Sequence, residues 1–376
     1  MKILQILPEL IQGGVERGTL DLARELVRQG HESHVISAGG PLVDKLQSEG
    51  SAHHSLPVHR KSLLSLRYVK PLRELILSID PDVIHVRSRL PAWLNFLALR
   101  KLPKNKKPAV VSTVHGLYSV NRYSEIMTRA DRVIAISSCV SDYITRNYPR
   151  ADRSIIRLVH RAVDPTEFPE GYQPSEEWKT QFFAEFPQLS DKKLILFPGR
   201  ITRWKGHKFL LDLMESLSRQ RQDVHGIVVG SAHASKSEFY DELLSDVNKR
   251  QLEPWISFLG NRRDMKEIYA VSLLALNLSD QPEPFGRTVI EALKIGLPVV
   301  AWDQGGPAEV LRLCYPQGLV NYPDVGDLEK TVDQLLDEPG EINFSSEFTL
   351  DTLVGKTLNI YDEVVSKSLS NASSAK

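Results

Sequence analysis

The chain has 376 residues, of which 41% are hydrophobic and 25% charged, with 47 Lys and Arg balanced by 47 Asp and Glu. That length exceeds what one core usually fills, so two domains are expected. Its two cysteines, Cys139 and Cys314, stand in no metal or redox spacing and argue against a disulfide framework.

Charge is unevenly shared. Residues 1–170 carry 25 basic against 17 acidic side chains, and residues 171–376 carry 22 against 30. The first half therefore suits an anionic membrane surface or a phosphorylated acceptor, although ordinary solvated charge explains the excess equally well. The opening stretch MKILQILPEL is interrupted by Pro8 and Glu9 too soon for a signal peptide, and no apolar run is long enough for a bilayer. A soluble cytoplasmic protein is expected, with contact at the cytoplasmic face of the inner membrane left open.

In chain order, ILQIL, SHVIS, DVIHV, AVVSTV, RVIAI and IIRLV read as six buried strands in the first half. LILFP, GIVVG, ISFLG, LLALNL, PVVAW and GLVNY read as six in the second. Buried strands separated by helices predict α/β architecture: two Rossmann-like domains, each a parallel sheet covered on both faces. The boundaries expected are 1–168 and 169–349, with a Pro-rich acidic linker near 164–178. A helix over about 350–366 follows, and then a polar, disordered tail over 367–376. Ligands of such sheets bind outside the carboxyl ends of the strands, so a cleft between the two domains is the expected site.

The motifs fall at strand ends. After the first strand, Gln12-Gly13-Gly14 opens a helix closed by Gly30; the glycines allow a backbone to approach an anion, or simply make a turn. After AVVSTV comes His115-Gly116, a candidate sugar contact or a structural histidine. After LILFP, Arg200 and Lys205 lie in a glycine-flanked loop, a guanidinium fork and a mobile ammonium suited to a diphosphate. Glu283-Pro-Phe-Gly-Arg287 then opens a helix that ends before Gly296, with Glu291 one turn inside it. A cation at a helix amino terminus is mildly unfavourable. Arg287 thus implies either a nearby ligand anion or a salt bridge to Glu291. No metal-ligand spacing is present in these motifs.

Gly199-Arg200 with Lys205-Gly206, then Glu283 and Glu291 as E-x7-E, then Gly305-Gly306, resemble the GT-B glycosyltransferases of family 4. Gly13-Gly14 and His115-Gly116 fit the same pattern, in the same order, over nearly the whole chain. The resemblance implies a GT-B fold whose last helix crosses back to the first domain. It also implies a retaining transfer from a nucleotide-diphosphate sugar, UDP- or GDP-linked, with no cofactor and no metal on the diphosphate.

Carried onto this chain, Arg200 and Lys205 would hold the diphosphate, and Glu283 and His115 the sugar. Glu291 would bind the ribose, backbone N–H groups of Phe285 and Gly286 sugar hydroxyls or phosphate, and Gly14 the diphosphate. Arg287 would sit close to the phosphates. One departure stands out: Arg161-Ala162 replaces the Asn-Gly pair that often precedes Val-Asp in the family, which puts the local turn and acceptor contacts in question.

The resemblance points to a glycan or glycolipid acceptor in lipopolysaccharide or other surface polysaccharide synthesis, and not to nucleic acid. Arg87 and Arg89, after DVIHV, are candidates to grip an anionic acceptor. Arg60, Lys61, Arg67, Lys70 and Arg73 among leucines, with RKLPKNKK at 100–107, suit an anionic membrane edge or an ordinary amphipathic surface. A nucleotide-sugar epimerase of similar architecture and a non-catalytic nucleotide-sugar-binding scaffold are the alternative readings.

Overall fold

The computed structural model describes residues 1–11, 13–60, 62–103, 106–232 and 237–373. Gln12, Lys61, the Lys104 and Asn105 of the basic segment and the last three residues of the expected tail lie outside the described residues. The chain forms two compact units, Met1–Ala162 with Leu350–Lys376, and Val163–Thr349.

Among its described residues, the first unit holds a seven-stranded sheet: β1 (Lys2–Ile6), β2 (Glu32–Ser37), β3 (Ala52–Ser55), β4 (Val83–Val86), β5 (Ala109–Val114), β6 (Arg132–Ala135) and β7 (Ile156–Leu158). All pairings are parallel, in the order β3-β2-β1-β4-β5-β6-β7. Helices α1 (Gly14–Arg28), α2 (Val43–Ser48), α3 (Val69–Ile79), α4 (Arg89–Leu99) and α5 (Ser138–Asn147) connect them. α1 is amphipathic, burying Leu20, Leu22, Ala23 and Leu26. Ser137 starts α5 by accepting a hydrogen bond from the Val140 N–H at 3.0 Å.

The sequence predicts six strands here, and the seventh, β3, escapes because Ala-His-His-Ser contains no apolar run. It is an edge strand pairing only with β2, so little burial is demanded of it.

The last helix runs Leu350–Ser373, past the end expected near 366 and into the segment expected to be a disordered tail. Polarity misleads there: residues 367–373 contain neither Gly nor Pro to stop a helix. Leu350, Val354, Ile360, Tyr361 and Val364 of this helix pack into the first unit's core with Ile3, Val83, Val111 and Ile134. Glu363 pairs with Arg157 at 2.8 Å and also with Arg132.

Among its described residues, the second unit repeats the design with six parallel strands: β8 (Lys193–Pro198), β9 (Val224–Val229), β10 (Ile256–Gly260), β11 (Leu274–Asn277), β12 (Val299–Trp302) and β13 (Leu319–Val320). Their order is β10-β9-β8-β11-β12-β13. Its helices are α6 (Glu176–Glu185), α7 (His207–Gln220), α8 (Ser237–Lys249), α9 (Met265–Val271), α10 (Arg287–Ile295), α11 (Gly305–Cys314) and α12 (Val325–Asp337).

The segment expected as the linker, 164–178, is folded onto this unit. Phe168 is buried against Tyr269, Tyr172 donates to Glu267 at 3.0 Å, and α6 has begun by Glu176. Prolines removed its strand pattern without removing its anchors.

Both sheets are doubly wound, and the winding reverses between β1 and β4 in one unit and between β8 and β11 in the other. Such a reversal opens a crevice at the carboxyl ends of those strands. No described helix is long and apolar enough to cross a membrane.

One buried contact ties the terminal helix to this frame. The Tyr361 hydroxyl lies 2.6 Å from His85 Nδ1 in β4, and His85 Nε2 lies 2.6 Å from the Thr113 hydroxyl in β5. Burial, helped by the Arg87 charge, holds His85 neutral well below its ordinary value, so one ring nitrogen donates and the other accepts. Tyr361→Phe leaves that nitrogen unsatisfied and is expected to cost about 1–3 kcal/mol. Urea denaturation measures this; a change within about 0.3 kcal/mol would mean that water replaces the hydroxyl.

Candidate active site

The candidate residues cluster at the two crevices, and each cluster is described within its own unit. In the second unit, β8 leads through Gly199 to Arg200, which is exposed and has no hydrogen-bond or ion-pair partner among the described residues. A short 3-10 turn, Arg203–Lys205, follows, and then α7. Gly206 joins them with φ 79°, and a Cβ there would stand 1.7 Å from the Leu278 carbonyl oxygen. Only glycine lets this loop lie against the one after β11. The Asp280 N–H donates to the Trp204 carbonyl at 2.8 Å across the same contact.

That approach brings Lys205 to Glu283. Lys205 Nζ donates to Glu283 Oε1 at 2.7 Å, with the side chains 14% and 9% exposed. The same oxygen accepts from Asn277 Nδ2 at 3.1 Å and from the Ser279 hydroxyl. Lys205 Nζ also lies 4.6 Å from the centre of the Trp204 ring, a cation–π contact. The loop carrying Glu283 rests on the start of α11, where the Gly306 N–H donates to the Glu283 carbonyl at 2.8 Å.

Phe285 is buried against Phe348, so its side chain belongs to the core and only its backbone is left to meet a ligand. Gly286, at φ 83°, opens α10 with no side-chain cap, which leaves the first-turn N–H groups uncapped by any side chain.

The question of Arg287 is answered by its partner. Arg287 Nε donates to Glu291 Oε1 at 2.7 Å one turn later, and Glu291 Oε2 accepts from the buried Tyr269 hydroxyl at 3.2 Å. Glu291 is therefore a buried, doubly held carboxylate and not part of an exposed charged face. Lys294 turns instead to Glu170 at 3.5 Å. Arg262, after β10, is committed to Asp264 at 2.7 Å and Glu185 at 3.0 Å.

In the first unit, Gly14 opens α1 beside the end of β1, Arg87 follows β4, and His115 follows β5. Arg87 is 6% exposed, and its Nη1 donates to the side-chain carbonyl of Gln5, whose Nε2 donates to the Thr19 carbonyl at 3.2 Å. His115 has two buried ring nitrogens with no hydrogen-bond partner among the described residues. Burial first, then the Arg161 and Arg87 charges, hold it neutral well below its ordinary value. Arg161 donates to the Gly14 carbonyl.

Arg89 is separate from this group, donating to Ser124 at 3.0 Å with its guanidinium over the Tyr118 and Tyr123 rings. Sequence reading overlooked Gln5, a polar residue inside a buried strand, and Asn277 and Ser279, which orient Glu283. The polar interruption of ILQIL was the available signal for Gln5.

Two Rossmann-like units with cations and carboxylates at the winding reversals define a protein of the GT-B class. The description "Glycosyltransferase Family 4" matches residues 12–167, and "Glycosyl transferases group 1" matches residues 179–348. The chain belongs to this glycosyltransferase family. It is 26% identical to spore coat protein SA of Bacillus subtilis over 322 residues, covering 80% of this chain and 79% of that one. A glycosyltransferase from Rickettsia africae ESF-5 superposes with a TM-score of 0.83 at 27% identity, covering 97% of this chain and 98% of that one. Anabaena Alr3699/HepE, solved in complex with UDP and glucose, shares the fold at a TM-score of 0.73 and 19% identity, with full coverage of both chains.

The Lys205–Glu283 contact is open to direct measurement. A double-mutant cycle with Lys205→Met and Glu283→Gln is expected to give a coupling of about 1–3 kcal/mol in chemical denaturation. A coupling below about 0.5 kcal/mol would show that the pair is not formed in the free protein.

Proposed function

We propose that this glycosyltransferase is a retaining enzyme that moves a sugar from a nucleotide-diphosphate sugar to a glycan or glycolipid acceptor, without a bound metal. The observation that carries the reading is the Lys205–Glu283 pair, held by Asn277 and Ser279 at the second unit's winding reversal. Arg200, with no ion-pair partner among the described residues, stands just past the end of the adjacent strand. HepE, the fold relative that binds UDP and glucose, supports the choice of donor class by analogy only.

In this reading the acceptor hydroxyl attacks C1 of the sugar as the C1–O bond to the diphosphate breaks. The departing phosphate oxygen takes the acceptor proton, and the new bond forms on the same face. Charge grows on the diphosphate, and Arg200 and Lys205 stabilise it in place of a metal. Lys205 exchanges a share of its contact with Glu283 for the phosphate. Glu283 then meets the sugar.

Glu291 keeps Arg287 and Tyr269 and still has lone pairs for ribose hydroxyls. The backbone N–H groups at Phe285 and Gly286 take sugar hydroxyls or phosphate. Surface polysaccharide or lipopolysaccharide synthesis is the setting that such an acceptor suggests.

Calorimetric titration with UDP, GDP, ADP and TDP in EDTA is expected to show selective binding of one nucleotide, lost in Lys205→Ala. Turnover in that variant is expected to fall about 10²–10³-fold. Binding of none of the four would overturn the donor site; a requirement for divalent metal would overturn the metal-free mechanism.

Membrane contact is the second part of the proposal. In the 3-10 turn Leu63–Tyr68, Leu64 is 71% and Leu66 52% exposed, beside Arg60 and Arg67. Such a segment suits the edge of an anionic bilayer. The protein is expected to sediment with phosphatidylglycerol vesicles and much less with phosphatidylcholine ones, and Leu64→Asp to weaken the association. Equal sedimentation with both lipids, or none with either, counts against it.

A further inference from the structure

The first unit contains a cationic group that the donor chemistry does not use. Gly14 and Gly18 lie one turn apart on the same face of α1, leaving its first turns without side chains there. A Cβ on Gly14 would fall 2.6 Å from Arg161 Nη1. The corresponding point above Gly18 lies 3.5 Å from Arg161 Nη2 and 3.6 Å from Arg87 Nη2. Two guanidinium groups therefore converge over one bare helix face.

Arg87 is the more telling of the two. It is 6% exposed, yet it makes no ion pair among the described residues; its one side-chain partner is the neutral Gln5 amide, and its buried Nε has none. Glu16 and Asp21 act on its charge without lying at ion-pair distance. The Gln5 amide is itself fixed by Thr19, so Arg87 is held in place without being neutralised. A buried guanidinium left in this condition is costly unless an anion completes it. His115, with both ring nitrogens unpartnered, stands in the field of the same two arginines.

We propose that Arg87 and Arg161, beside His115 and the bare face of α1, bind an oxyanion carried by the acceptor, either a phosphate or a carboxylate. Two guanidinium forks and a neutral imidazole match the donor demand of such a group. The acceptor is the better assignment than the donor because Arg200 and Lys205, in the other unit, already serve the diphosphate. The word acceptor rests on the transferase reading above; the anion site itself does not.

The test uses the full chain labelled with 15N-histidine, with His115 assigned through His115→Gln. Inorganic phosphate and acetate are titrated separately, with and without saturating UDP. One of the two anions is expected to shift the His115 ring signals saturably, and which one does so identifies a phosphate- or carboxylate-bearing acceptor. Arg161→Asn is expected to weaken that binding at least about 10-fold, and Arg161→Lys, which keeps the charge without the fork, less.

An unsaturable response to both anions, or unchanged affinity in Arg161→Asn, overturns the site. Displacement of the anion by UDP overturns its assignment to the acceptor. Should Arg161→Asn not fold, Arg161→Lys and the UDP competition on the unaltered chain decide in the same way. Failure of the donor reading shows separately, as absence of UDP binding, and leaves the anion titration interpretable.

Discussion

Both units depend on one constraint of parallel sheets. Each strand must return to the same edge before the next begins, and the right-handed crossover places the connecting helix on a face fixed by the direction of winding. Where the order turns from β3-β2-β1 to β4-β5-β6-β7, the helices leave to opposite faces, and the strand ends between them stay uncovered. The same happens at β8 and β11. Polar and glycine-rich loops collect there because the fold leaves no apolar layer to bury them. Lys205, Glu283, Gly14 and Arg87 are therefore near one another within their units for reasons of topology before any reason of chemistry.

The two crevices handle charge differently. In the second unit cations and carboxylates answer each other: Lys205 meets Glu283, and Arg287 meets Glu291. These contacts keep buried charges compensated while preserving groups that a ligand can recruit, so binding requires exchange of partners. In the first unit, among the described residues, the Arg87 side chain meets only a neutral amide, and the His115 ring meets no hydrogen-bond partner. Exchange is not needed there, because the electrostatic demand is left open. A site of the first kind tolerates being empty, whereas one of the second kind carries a standing cost that an incoming anion relieves.

Much of this was readable in the sequence because buried parallel strands must be continuous apolar runs, and the loops after them carry special residues. The strand β11, the Pro-Phe-Gly turn and the helix Arg287–Ile295 follow almost directly from such signals. Where burial is relaxed the signal weakens: β3 lies at an edge and reads as two histidines between small residues. The folding of the 164–178 segment is hidden for another reason. Its anchors, Phe168 and Tyr172, are single side chains with no period, so only their tertiary partners reveal that it is folded. The terminal helix shows the converse error, in which polar composition was mistaken for lack of structure.

Polar side chains that act on other side chains were the least legible. Asn277 and Ser279 matter through Glu283, and Gln5 through Arg87, at sequence separations that no local pattern spans. Gln5 illustrates the reasoning that remains available. A buried amide inside β1 can be retained only if both its ends are satisfied. Thr19 takes its N–H and thereby turns its oxygen toward Arg87. Replacing Gln5 with an apolar residue would suit the sheet and strand the arginine. A polar residue interrupting an otherwise apolar strand is therefore a pointer to a charged group beyond the strand's end, and here it leads to the arginine that faces Gly18.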